Sequence, residues 1–402
     1  MRDDQDLLAV ADRLLGDVPP ISTPAAVFLR AQYDAGLAWV HHPEGYGGRA
    51  ASIEDQAAVD DRLAAAGAPL SGRTTNAIGA GQCAATVLAF GSEEQKRRYL
   101  PAVFTGEAPW CQLFSEPGAG SDLASLATRA VLDGNEWVVN GQKVWTSGAT
   151  EARFALLLAR TDPDAQKHAG ITALAIDMHA PGVEVRPLRQ MDGGSDFNEV
   201  FLHDVRIPDR ERLGDVGAGW SVSQQTLLHE RYNMPRVPER GDGPISLAVA
   251  AWRAREDGAT PVALALKDRL MARWADAEVM RLLQLRASAA RAVGGGGAEG
   301  SLGKLAMSKV SRELADLMPA LVGVEATLID GYDVYREPVT GRRGPVDVGP
   351  FAIQHFLLRS PGTSIAGGTD EIQRNIIGER VLGLPREPNP ERGVPWSKTL
   401  RS

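Results

Sequence analysis

Three short stretches combine residue types that can do chemistry together. The first, Cys111-Gln112-Leu113-Phe114-Ser115-Glu116-Pro117-Gly118-Ala119-Gly120-Ser121-Asp122, contains a Pro-Gly-Ala-Gly-Ser core. Glycine adds no side chain, so successive backbone N–H groups and the Ser121 hydroxyl can approach an anion closely, which suits a diphosphate. The same core also reads as a plain glycine turn leading into a strand. The second stretch, Asn140-Gly141-Gln142-Lys143-Val144-Trp145-Thr146-Ser147-Gly148-Ala149, sets an indole beside two hydroxyls. Trp145 can cover one face of a flat heterocycle while Ser147 hydrogen-bonds a ring heteroatom; read alone, Trp145 fits better as a core tryptophan on a strand. In the third, Gly367-Gly368-Thr369-Asp370-Glu371-Ile372-Gln373-Arg374-Asn375-Ile376-Ile377-Gly378-Glu379-Arg380, Thr369 or Asp370 can cap a helix whose N-terminal amides attract an anion or a carbonyl. A capped helix with Ile372, Ile376 and Ile377 in a core fits the same residues.

The elements that must position these groups change character twice along the chain. Up to about residue 108 the texture is helical: Leu7, Leu8, Ala11, Leu14 and Leu15 recur at helical spacing, Thr23-Pro24 opens a second segment that Gly36 closes, and Ser92 with Gln95 forms a capping box. From Pro109 β-branched and aromatic runs alternate with turn residues. Thr128–Leu132 and Glu136–Asn140 flank Asp133-Gly134 as a hairpin, and Phe154–Ala159, Ile171–Ile176, Val183–Val185 and Glu199–Val205 continue the pattern. After Gly219 helical periodicity returns through Trp220–Arg231, Pro261–Ala292, Glu299–Ile329 and Asp370–Arg380. Gly294–Gly297 breaks two of these helices apart, and Arg336–Pro350 has the composition of an exposed loop. This predicts an α+β chain with an N-terminal helical domain (1–108), a middle antiparallel β domain (109–213) and a C-terminal helical bundle (214–402).

Composition narrows the function classes. The net charge of −8 argues against a nucleic-acid surface, and no apolar run reaches membrane-spanning length. The acidic start, Met1-Arg2-Asp3-Asp4-Gln5-Asp6, lacks the marks of a leader, so a cytoplasmic location is expected. Cys83 and Cys111 have no CxxC or Cys/His spacing, which predicts two small apolar fillers and no zinc site. His168, His203 and His355 are isolated, so no metal is called for.

Taken together and in this order, the three stretches resemble the acyl-CoA dehydrogenase family. The resemblance runs from Pro43-Glu44-Gly45-Tyr46-Gly47-Gly48 to Val381-Leu382-Gly383-Leu384-Pro385. It implies the family's fold: an N-terminal helical domain, a middle β domain and a C-terminal four-helix bundle. It also implies FAD as cofactor, with Gln112, Leu113 and Ser115 lining the flavin and Ser121 reaching the diphosphate and the substrate. Trp145 and Ser147 would hold the isoalloxazine ring near N5, and Thr369 and Glu371 would meet the phosphate and adenosine parts. The implied reaction is removal of two hydrogens from the α,β carbons of an acyl-CoA. A carboxylate takes the α proton while the thioester oxygen is hydrogen-bonded, by the backbone N–H of Gly367 among others. Electron-transfer flavoprotein is the implied acceptor, and a homodimer or tetramer the implied assembly.

Two departures from the family's best-known pattern bear on the site. Where medium- and short-chain members carry a glutamate base, this chain reads Ala366-Gly367-Gly368-Thr369. Isovaleryl- and long-chain-type members place the base before an arginine at the start of the C-terminal bundle, and that position reads His229-Glu230-Arg231, which makes Glu230 the candidate base and Arg231 a candidate substrate contact. The family's Arg-x-x-Phe-Gly interface element is also absent, the region reading Trp252–Gly258 and then Lys267-Asp268-Arg269-Leu270, so a heteromeric assembly stays open. Moving the base away from Gly367 should leave room near the acyl α carbon, which predicts a branched or bulky substrate. The alternatives are a non-catalytic partner subunit of a heteromeric dehydrogenase, and an acyl-CoA oxidase or flavin monooxygenase on the same fold.

Overall fold

In the computed structural model, which describes residues 7–232, 239–292, 299–328 and 350–399, the helical start follows from apolar spacing. Helix α1 (Leu7–Asp17) buries Leu7, Ala11 and Leu14 along one face. Helix α2 (Ala25–Asp34) starts directly after Pro24 and buries Phe28, Leu29, Gln32 and Tyr33. α3 (Gln56–Ala65), α4 (Gly72–Thr75), α5 (Ala84–Phe90) and α6 (Glu93–Thr105) complete the set. The capping box at α6 is formed in both directions: Gln95 N–H donates to Ser92 Oγ at 3.2 Å, and Ser92 N–H to Gln95 Oε1 at 2.8 Å.

The sheet contains β1 (Trp110–Leu113), β2 (Arg129–Asp133), β3 (Glu136–Ser147), β4 (Phe154–Arg160), β5 (Ile171–Asp177), β6 (Val183–Pro187), β7 (Phe197–Pro208) and β8 (Arg212–Leu213). Its order is β6-β7-β3-β2-β4-β5-β8, with β1 added on β4. The hairpin closes on the pair Asp133↔Glu136, with Gly134 at φ 65°. The expectation of an antiparallel domain needs one correction: β1 runs parallel to β4, from Trp110↔Phe154 to Leu113↔Leu157, and β2 meets β4 in parallel at Arg129↔Arg160. The β2–β3 hairpin intervenes between β1 and β4 and supplies the long connection that parallel pairing needs. Every residue of β4 is buried, as suits a strand covered on both faces. Helix α7 (Gly219–Tyr232) packs on β5 and α5.

These elements belong to one compact unit, Met1–Leu188, Phe197–Asn233 and Asn389–Ser402; a second comprises Arg189–Asp196 and Met234–Pro388. The second unit is built from α8 (Pro244–Arg253), α9 (Pro261–Ala292), α10 (Glu299–Val322), α11 (Pro350–Arg359) and α12 (Asp370–Arg380). Helix α10 packs against each of the others, around Ile245, Leu270, Leu314, Leu317, Met318, Leu321 and Ile353. It ends earlier than its apolar run, because Gly323 takes φ 83° and the chain tightens into a 3-10 turn. Gly294–Gly297 lies outside the described residues, as does 336–349, whereas Pro350 opens α11. Cys83 and Cys111 are both buried, and no described helix is long and apolar enough to cross a membrane.

Candidate cofactor site

In the first unit, strand β1 carries the start of the first stretch into the sheet. Leu113 is wholly buried among strand side chains, so it can line a cofactor only through its backbone. Gln112 is half-buried and its Nε2 donates to Gln82 Oε1. After the strand, Glu116 and Ala119 exchange two backbone hydrogen bonds of 3.0 Å each, with Pro117 and Gly118 exposed at the tip. The glycine-turn reading of this core is therefore correct. The turn also leaves an open face, since nothing lies within 4 Å of where a Cβ would stand at Gly120, and Ser121 beside it is exposed. Asp122 accepts from Ser125 Oγ at 2.6 Å and from Lys167 Nζ at 2.7 Å, which anchors the far end of the turn.

The second stretch is held to the first by backbone and by charge. Val144 N–H donates to Ser115 O at 2.9 Å. Beneath this contact Lys143, wholly buried, donates to Phe114 O at 3.0 Å and to Glu116 Oε1 at 2.7 Å. Glu116 also accepts from the backbone N–H groups of Ala127 at 2.6 Å and Thr128 at 2.9 Å. Burial alone would raise the Glu116 carboxyl, but the Lys143 ammonium and these hydrogen bonds outweigh it and hold the group below the ordinary glutamate value.

Directly after Lys143 the pairing of β3 with β7 slips between Lys143 and Thr146, and Trp145 adopts φ 59°. A positive φ is strained for a bulky residue and persists only where its surroundings over-determine it. Here the bulge turns the indole outward, so that Trp145 is 63% exposed and meets Phe197 edge-on at 6.1 Å between ring centroids. The core reading of Trp145 does not hold. Its neighbours are fixed: Thr146 is buried, its carbonyl accepts from Asn198 Nδ2 at 2.9 Å, and Ser147, half-buried, pairs with Phe197. An outward indole with an adjacent hydroxyl, on the same sheet as an open glycine-serine turn, fits a flat heterocycle that carries a diphosphate.

The second unit holds the third stretch. Gly367 and Gly368 have φ 68° and 84°, and the amide of the buried Gln373 donates to their carbonyls at 2.9 and 3.3 Å. Thr369, not Asp370, is the cap of α12: its Oγ1 accepts from Ile372 N at 3.3 Å. Asp370 points inward, accepting from Lys304 Nζ at 3.0 Å and Ser308 Oγ at 2.8 Å. Glu371 is exposed and pairs with Arg374 at 3.3 Å. Ile372, Ile376 and Ile377 are half-buried rather than core residues. Glu230 and Arg231 belong to the last turn of α7, and their side chains lie outside the described residues. Residue type alone does not mark Lys143, Glu116, Lys304 or Asp370 as internal supports, although three of the four stand inside the three stretches.

Models of the N-terminal, middle and C-terminal domains of acyl-CoA dehydrogenase match residues 21–107, 111–205 and 217–382. Acyl-CoA dehydrogenase IpdE1 of Mycobacterium tuberculosis is 38% identical over 355 residues, which cover 88% of this chain and 86% of the relative. Acyl-CoA dehydrogenase FadE34 of the same organism is 41% identical across 88% of this chain, but the match spans only 45% of that relative's length. Among solved structures, a steroid ACAD named for two proteins, Tcur3481 and Tcur3483, superposes with a TM-score of 0.69 at 26% identity, covering 95% of this chain and 97% of its own. The chain belongs to the acyl-CoA dehydrogenase family and is an oxidoreductase whose cofactor is FAD.

Proposed function

We propose that this chain oxidises an acyl-CoA thioester across its α,β carbons to the trans-2-enoyl thioester, with a branched or otherwise bulky acyl group as substrate. The observation that supports this most is the outward Trp145 on its bulge, carried by the same sheet as the open Gly120-Ser121 turn. FAD, when bound, would supply the acceptor for the β hydride. Trp145 would cover one face of the ring system, Ser147 would donate near N5, and Gln112, Ser115 and the Leu113 backbone would line it. Ser121 would reach the diphosphate, and Thr369 and Glu371 would meet the phosphate and adenosine parts.

An α C–H is a weak acid even beside a thioester, so the base must act while charge on the thioester oxygen is stabilised. Glu230 takes that proton, the Gly367 N–H donates to the oxygen, and Arg231 with Ser121 holds the CoA portion. The preference for bulk is supported by Ala366 and Gly367, both exposed and together presenting nothing larger than a methyl group, and by the steroid ACAD relative. Electron-transfer flavoprotein is the proposed acceptor, and the proposed assembly is a dimer or tetramer, of identical subunits or with a second kind of subunit.

Anaerobic titration of the purified, FAD-replete chain with a panel of acyl-CoA thioesters, beside Glu230→Gln, tests this reading. The parent's flavin bleaches, best with a branched or cyclic acyl group, and the variant's does not. Bleaching that survives the substitution removes Glu230 as the base, and a clear preference for straight chains removes the bulky substrate. The side-chain-free turn at Gly367 also suits a non-catalytic partner subunit; a chain that binds no FAD and gains colour only with a second gene product would favour that reading.

A further inference from the structure

Lys143 and Glu116 stand 27 residues apart in sequence, yet their side chains are the point where the two flavin-facing stretches of the first unit are tied. The Lys143 ammonium has two acceptors, both in the first stretch: Phe114 O at 3.0 Å and Glu116 Oε1 at 2.7 Å. The other oxygen of Glu116 is taken by Ala127 N–H at 2.6 Å, so the carboxylate is fixed from both sides. Lys143 is wholly buried and Glu116 nearly so. One residue on, Val144 N–H holds Ser115 O at 2.9 Å, and the next residue is Trp145 at φ 59°.

A buried ion pair is weak evidence of a gain in stability, because an apolar pair of the same volume often serves as well. What this pair supplies is direction. The ammonium can satisfy both acceptors only if the backbone of 114–116 and the strand ahead of the bulge keep one relative placement. A group that must meet a ligand within a fraction of an ångström needs such outer support.

We propose that Lys143 and Glu116 are positioning residues for the flavin: their pair fixes the Trp145 indole relative to the Ser115 backbone, and so sets how the cofactor's ring is gripped. The proposal rests on the assignment of Trp145 and Ser115 to the flavin.

The test uses the full chain reconstituted with FAD, comparing the parent with Lys143→Met, Glu116→Gln and Trp145→Phe. The readouts are the FAD dissociation constant, the emission of the bound flavin, which a stacked indole quenches, and the fine structure of its visible absorption band. Lys143→Met weakens FAD binding by about tenfold or more, the usual scale for losing an outer support of a bound group, and restores flavin emission in protein with parental circular dichroism. Glu116→Gln shifts both readouts the same way by less, since its amide keeps an acceptor for Lys143 but turns a donor toward Ala127 N–H. A folded Lys143→Met that keeps the parental emission and an FAD dissociation constant within about twofold overturns the proposal and leaves the pair a mere structural tie. Should Lys143→Met not fold, the same readouts on Glu116→Gln decide. If Trp145→Phe leaves the emission unchanged, the assignment of the indole to the flavin has failed and takes the proposal with it.

Discussion

Lys304→Met asks whether the third stretch is held in the same manner as the first two. Lys304 Nζ stands 3.0 Å from Asp370 Oδ1, Ser308 Oγ donates to Asp370 Oδ2 at 2.8 Å, and Ser364 Oγ is 2.9 Å from Ser308 Oγ. The side chains of Lys304 and Asp370 are only 7% and 9% exposed, so both charges are largely withdrawn from water. The link joins the middle of the second unit, α10, to the first residue of α12, next to the Thr369 cap. Without the ammonium, Asp370 is a buried carboxylate held by one serine, and breaking a buried pair costs about 3–5 kcal/mol. The Ser308 bond remains and the carboxyl can take up a proton, which places the expected loss near the lower end, about 3 kcal/mol. In a unit of about 150–250 residues each kcal/mol moves Tm by about 2–4 °C, so the transition of the second unit falls by roughly 6–12 °C. Lys304→Met/Asp370→Leu removes both charges and should regain most of that loss, because apolar replacement of a buried pair is often neutral. Calorimetry on the parent, both single variants and the double measures the coupling. A single variant melting within about 2 °C of the parent, or a double melting no higher than the single, refutes the reasoning.

Gly368→Ala combines backbone strain with a collision. At φ 84° a side chain costs about 1–2 kcal/mol, and the added Cβ would meet Gln373 Nε2 at 2.8 Å, the amide that holds the Gly367 and Gly368 carbonyls. The melting transition of the second unit should drop accordingly and the Gly367 turn loosen; an unchanged melting point would show that the turn relaxes freely. Acid should weaken both units by one mechanism. Burial raises the carboxyls of Glu116 and Asp370, but the paired lysines and hydrogen bonds outweigh it and leave both below their ordinary values. Such groups stabilise the fold above their unfolded-state pKa, about 4.3 for glutamate and 3.9 for aspartate, and that contribution is lost as pH falls through the folded-state value. Stability is therefore expected to hold from neutrality to about pH 5 and to decline below about pH 4. Lys304→Met/Asp370→Leu should show a shallower decline in urea titrations across this range; a decline as steep as the parent's would remove Asp370 from the account.

Much of the fold was legible because its signals are local. The α1 face, the α6 capping box and the Gly134 hairpin depend on residues within a turn of one another, and each sits where periodicity or turn chemistry puts it. Strand direction was not legible in the same way. Parallel β1–β4 pairing joins segments on either side of a whole hairpin, and buried runs such as Phe154–Arg160 look alike in either orientation. The exposure of Trp145 was hidden for a related reason. Strict alternation along β3 puts position 145 on the buried side with Trp137 and Val139, and only the slipped register against β7, a strand far along the chain, turns the indole outward.

The site's internal supports were harder to see, although one of them left a trace. Glu116 and Asp370 stood inside the stretches first examined, where residue type alone assigns a carboxylate to solvent or to a helix cap. Their role depends on which cation the fold brings beneath them. For Asp370 that cation could have been anticipated: Ser301, Lys304, Ser308 and Ser311 fall at helical spacing on α10, and all four are buried. A lysine in register with a stripe of small hydroxyl residues cannot stay charged among them without a carboxylate, since burying an unpaired ammonium costs far more than a helix can return. An acid at a helix start, where the cap fixes its backbone, is one partner that meets this need. Asp370, immediately after a capping threonine, meets that requirement. For Lys143 no such stripe exists, because on a bulged strand the neighbours that demand a partner come from other strands. The helix-borne support is thus readable from spacing, while the strand-borne one needs the register.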